Sequence, residues 1–230
     1  MENSRFIFQE NQYFGKCVPC TAAVFNQAID SPQVAYKIGM RQAIEEAIHE
    51  GQPLDSLALE KDFARFCSKK QGEKYFQDLT LEEKLLQWAT SLKNSLPCFV
   101  FGVKEFKGEY RRLAEIKHLS GLFMFDADKL LCDPFEIYKR TLVESFHWQV
   151  RFAHKTSSGH GLRLVCEART EVGNLADNQI CLAKDLGLMG MLGSTGKPVV
   201  DDSCIDATRI SYCPRREDIY FVDEEHLFNL

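Results

Sequence analysis

Gly121-Leu122-Phe123-Met124-Phe125-Asp126-Ala127-Asp128 is the stretch that decides the fold. It reads as an apolar strand ending in two carboxylates two residues apart. Strand side chains alternate, so Asp126 and Asp128 share one face, and Phe123 and Phe125 take the other. Two carboxylates side by side repel unless a divalent cation or a strong donor lies between them. Downstream, Asp133-Pro134 caps a helix expected to reach about Phe146. Gln149 to Thr156 and Leu162 to Ala168 read as two strands, joined by Ser157-Ser158-Gly159-His160-Gly161. A second helix is expected from about Leu175 to Leu186. Pro198 to Asp201 and Thr208 to Tyr212 read as closing strands. The order is β-α-β-β-α-β, a split βαβ core of ferredoxin-like (RRM) type within the α/β (α+β) class.

That topology places the first and third strands side by side and antiparallel in the centre. The fourth strand flanks the first, so Asp201 can approach Asp126 and Asp128. Phe123 and Phe125 then pack under the helices, which would leave the acidic face open. The Ser-Gly loop, flanked by Lys155 and Arg163, suits phosphate. Each motif also has a plainer meaning. Asp-x-Asp can simply end a strand, Ser157-Ser158-Gly159 can be an ordinary hairpin turn, and Arg209 and Arg215-Arg216 can be solvated charge. Their joint occurrence in topological order carries the functional reading.

The rest of the sequence of 230 residues is permissive. It is 45% hydrophobic and 27% charged, as in ordinary globular proteins, and its net charge of −5 gives no global attraction to nucleic acid. No stretch is apolar and long enough to span a bilayer, and Met1-Glu2-Asn3-Ser4-Arg5 does not read as a signal peptide. Nine cysteines, scattered through apolar runs, suit reduced thiols in a cytoplasmic setting. Cys17-Val18-Pro19-Cys20 has no partner pair and reads as structural. The texture changes near Pro97, which suggests a mostly helical region over 1–95 packed on a core over 96–230. In the first region, Arg5 to Phe8 suggests a short strand, and Ser31-Pro32 opens a helix that stops by Gly51. A further helix covers Leu57 to about Lys69, and the capping box Thr80-Leu81-Glu82-Glu83 opens another to about Leu92. Cys98 to Val103 reads as one dense strand ending in a turn over Lys104 to Glu109.

The apolar-Asp-x-Asp strand, the Ser-Ser-Gly-x-Gly-Leu-Arg loop and the Asp201-x-Ser-x-x-Asp-x-Thr-Arg-Ile-Ser-Tyr segment together resemble the archaeo-eukaryotic primase (prim-pol) superfamily. Within it the chain is most similar to the VirE N-terminal-domain primase-like family of bacterial mobile elements. The resemblance covers Pro97 onward and fades before about Ser91. It implies that Asp126, Asp128 and Asp201 are catalytic and hold Mg2+ or Mn2+. It also implies that Lys155, Ser158, Gly159, His160, Gly161, Arg163 and Arg209 contact nucleotide phosphates. The implied partners are nucleoside triphosphates, single-stranded or primed DNA, and a helicase or other replication domain. One position departs from the pattern: active primases usually carry His where Arg163 stands. A permanently charged guanidinium can hold triphosphate oxygens but cannot exchange a proton near neutral pH.

Three functions compete at this level. The first is metal-dependent nucleotide transfer on a DNA template. The second is a catalytically weak or inactive nucleotide- or nucleic-acid-binding module of a replication assembly. The third is a haloacid-dehalogenase-type phosphatase using Phe125-Asp126-Ala127-Asp128, with Asp201-Asp202 as its metal motif. The third expects Thr or Val where Leu130 stands, and a parallel sheet where Gln149 to Ala168 reads as a hairpin.

Overall fold

Thr80 accepts the Glu83 N–H at 3.2 Å while the Glu83 carboxylate accepts the Thr80 N–H at 2.7 Å, closing the expected capping box. Such local signals set most helices of the protein, which is described over residues 4–13, 15–50, 57–201 and 205–228 by a computed structural model. In chain order the N-terminal elements are β1 (Ile7–Gln9), β2 (Val18–Pro19), α1 (Ala22–Ile29), α2 (Pro32–Glu50), α3 (Leu57–Lys70), α4 (Lys74–Gln77) and α5 (Leu81–Asn94). Then come β3 (Cys98–Val100), β4 (Val103–Phe106), β5 (Ile116–Leu119), β6 (Leu122–Ala127), α6 (Pro134–Tyr138), β7 (Val150–Lys155) and β8 (Leu162–Glu167). The chain closes with α7 (Leu175–Asp185), β9 (Ser211–Tyr212), β10 (Ile219–Val222) and α8 (Glu224–Phe228).

The result is a mixed α/β fold with antiparallel sheets. One sheet runs β10-β7-β8-β6, a second runs β2-β1-β3-β9, and β4 pairs with β5 in a separate hairpin. Every strand pairing in them is antiparallel, so among the described residues there is no parallel βαβ sheet of the kind a haloacid-dehalogenase fold needs. As expected from the sequence, β6 and β8 are antiparallel neighbours, and β7 and β8 form the hairpin around the Ser-Gly loop. The segment at 198–201 lies along the other side of β6. Its contact is a single bridge, Ala127 to Val200, with N–H to O distances of 2.7 Å from Asp128 to Val199 and 3.1 Å from Asp201 to Asp126.

Four expectations are corrected. The strand expected over Cys98 to Val103 breaks at Phe101-Gly102, and β4 continues through Lys104–Phe106, where a turn was expected. A Cβ on Gly102 would lie 2.5 Å from the Ala207 carbonyl oxygen, so the chain turns where only glycine fits against that backbone. Asp133 caps α6 as expected, but regular helix ends at Tyr138 and passes into a tighter turn over Lys139–Leu142. There Thr141 Oγ1 donates back to the Tyr138 carbonyl at 2.8 Å, a side-chain bond that competes with helix propagation. Of the strand expected over Thr208 to Tyr212, only Ser211–Tyr212 forms, and it joins β3 of the second sheet. The free edge of β7 is instead covered by β10, a strand that the sequence reading missed.

The fourth correction concerns the acidic face. Phe123, Phe125 and Ala127 do pack with Ile137, Leu182 and Ala183 under α6 and α7. The opposite face is covered too. Leu122, Phe152 and Val165 meet Phe99 of β3, Phe6 and Phe101 beside the ends of β1 and β3, and Phe25 of α1. The second sheet has a dense apolar inner surface that must itself be buried, and the two sheets bury each other. A third apolar cluster joins α2 and α5 through Met40, Ile44, Leu85 and Trp88.

Phe25 sits at the hub of the inter-sheet core. It is fully buried, with ring centroids 5.2 Å from Phe99, 5.5 Å from Phe152 and 5.4 Å from Phe228. Phe25→Ala is expected to lower unfolding free energy by about 3–5 kcal/mol in urea titration, as cavity formation at a buried aromatic does. A loss below about 1 kcal/mol would show that this core is not packed as described.

Candidate functional site

Strand register brings three charged or polar side chains into one row. Asp126 on β6 pairs with Arg163 on β8, and Arg163 pairs with His154 on β7. Alternation turns all three toward the second sheet, away from the helices. All three are buried. Arg163 Nη2 donates to Asp126 Oδ2, so the strong donor demanded by paired carboxylates comes from the protein itself. Ser211 of β9 completes the row, its Oγ 3.3 Å from both Arg163 Nη1 and His154 Nε2. His154 Nδ1 lies 2.7 Å from the Lys155 carbonyl oxygen, which can only accept. The proton therefore sits on Nδ1, and Nε2 accepts from the Ser211 hydroxyl.

Burial dominates the titration of this row. It pushes His154 down to about 3, with the Arg163 charge adding to the effect. Burial also pushes Asp126 up to about 6; Arg163 opposes this, and the nearby Asp128 and Asp201 charges reinforce it. His154 is therefore neutral at physiological pH.

The row forms the floor of a cleft of about 680 Å³. Of the residues anticipated from the sequence, Asp126, Asp128, Asp201, Ser158, His160, Arg163 and Arg209 line it. Asp201 reaches Arg209, with 3.0 Å between carboxylate and guanidinium. The Ser-Gly loop is pinned to the end of β6 by the His160 carbonyl, which accepts the Leu130 N–H at 2.8 Å. Within the loop, Thr156 N–H donates to Gly161 O at 2.8 Å, and Gly159 takes φ +83°. Gly161 is wedged against the acidic strand end: a Cβ there would lie 2.8 Å from Asp128 Oδ1 and 2.9 Å from Ala127 O. Lys155 is not brought to the cleft. Alternation on β7 turns it to the other face, where its Nζ stands 4.0 Å from Asp218. Asp202 lies outside the described residues.

The opposite wall comes from residues that the sequence reading did not single out. Arg41, Glu45 and His49 project from α2, Lys93 and Asn94 from α5, and Arg111 from the loop between β4 and β5. The spacing i, i+4, i+8 of Arg41, Glu45 and His49 was a usable signal, since it sets three polar side chains in one row along α2. Arg41 pairs with Glu45 at 2.7 Å and also donates to Ser157, tying α2 to the loop. His154 was legible in principle from its alternation with Phe152. Lys93 carried no sequence signal.

Among the described residues, no three His, Cys, Asp or Glu side chains are gathered as a metal-holding group. Asp126 Oδ1, however, is buried and has no hydrogen-bond partner.

Residues 91–188 match the family model of the BT4734-like, N-terminal domain. The matched span contains Lys93, Asp126, Asp128, the Ser-Gly loop and Arg163, and it ends before Asp201 and Arg209. No curated protein and no solved structure matches the chain. No helix among the described residues is long and apolar enough to cross a membrane.

The two shifted groups pull stability in opposite directions as pH falls. His154, depressed in the fold, stabilises above the unfolded value of 6.5, and that stability is lost as pH falls toward about 3. Asp126, raised in the fold, contributes stability that is full below 3.8 and is lost as pH rises through about 6. Relative to wild type, His154→Gln should therefore gain stability between pH 7 and about 4.5, and Asp126→Asn should lose it, each by up to about 1.4 kcal/mol per pH unit. Urea midpoints across that range check both signs; parallel pH profiles for all three proteins would refute the buried row.

Proposed function

We propose that the cleft is a nucleotide site of primase-polymerase type, on a split βαβ core like that of the VirE N-terminal-domain primase-like family. The observation carrying this reading is the convergence on one cleft of an Asp-x-Asp strand end, a glycine loop pinned beside it, Asp201 and several cationic side chains. A triphosphate would meet Ser158, His160, Arg163 and Arg209, while a DNA template would run along the cleft mouth. Mg2+ or Mn2+ would be held by Asp126, Asp128 and Asp201, and would neutralise charge on the transferring phosphates. The orphaned Asp126 Oδ1 fits that assignment, because a buried carboxylate oxygen without a donor is an open ligand position.

The Asp126–Arg163 ion pair favours a second reading, a nucleotide-binding module with slow or absent chemistry. Arg163 already neutralises Asp126 and competes with any cation for it, and unlike His it cannot move a proton. Binding would then outlast catalysis.

Calorimetry with a nucleoside triphosphate and manganese is the first test. Arg163→Ala should weaken binding by about 1.5–3 kcal/mol, the range for hydrogen bonds to charged groups. Asp126→Ala should abolish extension of a labelled primer while leaving binding to single-stranded DNA in place. Arg163→His separates the readings, since faster extension marks a blunted polymerase and no extension at all marks a binding module. Absence of nucleotide affinity in wild type would sink both.

A further inference from the structure

Lys93 is a cation that makes no ion pair among the described residues. It projects from the last turn of α5 into the cleft and is partly buried. Its one recorded neighbour is the Tyr212 ring, with 5.0 Å from Nζ to the centroid. Burial pushes its pKa down from the ordinary lysine value, and Arg41 and Arg163 push it further. Asp128 and Asp126 oppose the shift without reversing it. Lys93 thus lines the same cleft as the Arg41 and Arg163 guanidinium groups, without a carboxylate paired to it.

An anion in the cleft would meet all three cations at once. Arg41 is fixed on one side by Glu45 and Ser157, and Arg163 on the other by Asp126. Each guanidinium is thus pre-oriented in the cleft, and fixed guanidinium donors joined by a lysine point charge are a way proteins hold polyphosphate oxygens. We propose that Arg41, Lys93 and Arg163 form a polyphosphate seat, with Lys93 the cation kept for the ligand. The seat rests on the nucleotide reading and deepens it. It adds Arg41 and Lys93, from the wall that α2 and α5 build, to the phosphate contacts that Arg163 makes from β8.

The test is calorimetry of the full-length chain with inorganic tripolyphosphate and, separately, ATP, using Lys93→Met, which keeps the side-chain volume, and Lys93→Arg. The expected result is an affinity for tripolyphosphate about 10- to 100-fold weaker in Lys93→Met and largely restored in Lys93→Arg. The melting temperature of ligand-free Lys93→Met should stay level or rise, since an uncompensated buried charge has been removed. A merely structural lysine would instead show a falling melting temperature, with no rescue by Arg, and that overturns the seat. Wild type that binds ATP but not tripolyphosphate, or Lys93→Met that binds both as wild type does, overturns the seat and leaves the nucleotide reading standing. Wild type that binds neither ligand removes the reading and the seat together.

Discussion

The Asp126–Arg163 ion pair is the constraint around which the site and its surroundings are arranged. Two strands can bring a carboxylate and a guanidinium face to face in a buried layer only if register is exact, because a slip of one residue would turn both to the helical side. The apolar residues on either side enforce that register. Phe123, Phe125 and Leu164 belong under the helices, and Leu122 and Val165 belong against the second sheet. A buried pair of this kind is a weak source of net stability, since desolvation offsets most of the attraction. Its value lies in orientation. Arg163 is locked between Asp126 and Ser211, and His154 is held in one tautomer by the Lys155 carbonyl.

The second sheet turns this polar row into a site. An exposed Asp126 would keep an ordinary carboxylate pKa and a full hydration shell. Covered by β9 and the aromatic core, it sits in a medium where each charge matters more. The cleft therefore has two walls of different origin. One is a sheet edge with its glycine loop, and the other is a pair of helices. Arg41 bridges them through Ser157, so the loop is held in place from both sides.

Much of this was legible in the sequence, for local reasons. Alternation placed Asp126 opposite Phe123 and Phe125, and capping chemistry placed the starts of α5 and α6, through Thr80 and Asp133. The hairpin of β7 and β8 followed from two apolar runs around Ser157 to Gly161. What escaped was non-local. The second sheet joins β1 to β3 and β9, strands of two or three residues whose pairing depends on partners far along the chain. Without that sheet, the acidic face reads as open. Lys155 and Lys93 show the same limit in opposite directions. Lys155 flanks the glycine loop in sequence yet faces Asp218, whereas Lys93 lies in a helix with no motif yet points into the cleft.

The pairing of β1 with β3, and of β3 with β9, also sets a schedule. During synthesis, Ile7 leaves the ribosome long before Cys98, and longer still before Ser211, so the sheet begun by β1 and β2 must wait for β3 and then for β9. Arg5 waits as well. Its guanidinium joins Glu167 at 2.8 Å, and its N–H reaches the Leu227 carbonyl at 3.3 Å. Contacts of such sequence separation slow folding and leave aromatic strand faces uncovered in the interval. Until then Phe6 and Phe8 have only the short β2 beside them, through the pairing of Phe8 with Val18. The cleft itself closes only when Ser211 arrives, so a ribosome-bound intermediate carries the acidic strand and the glycine loop with their covering sheet unfinished.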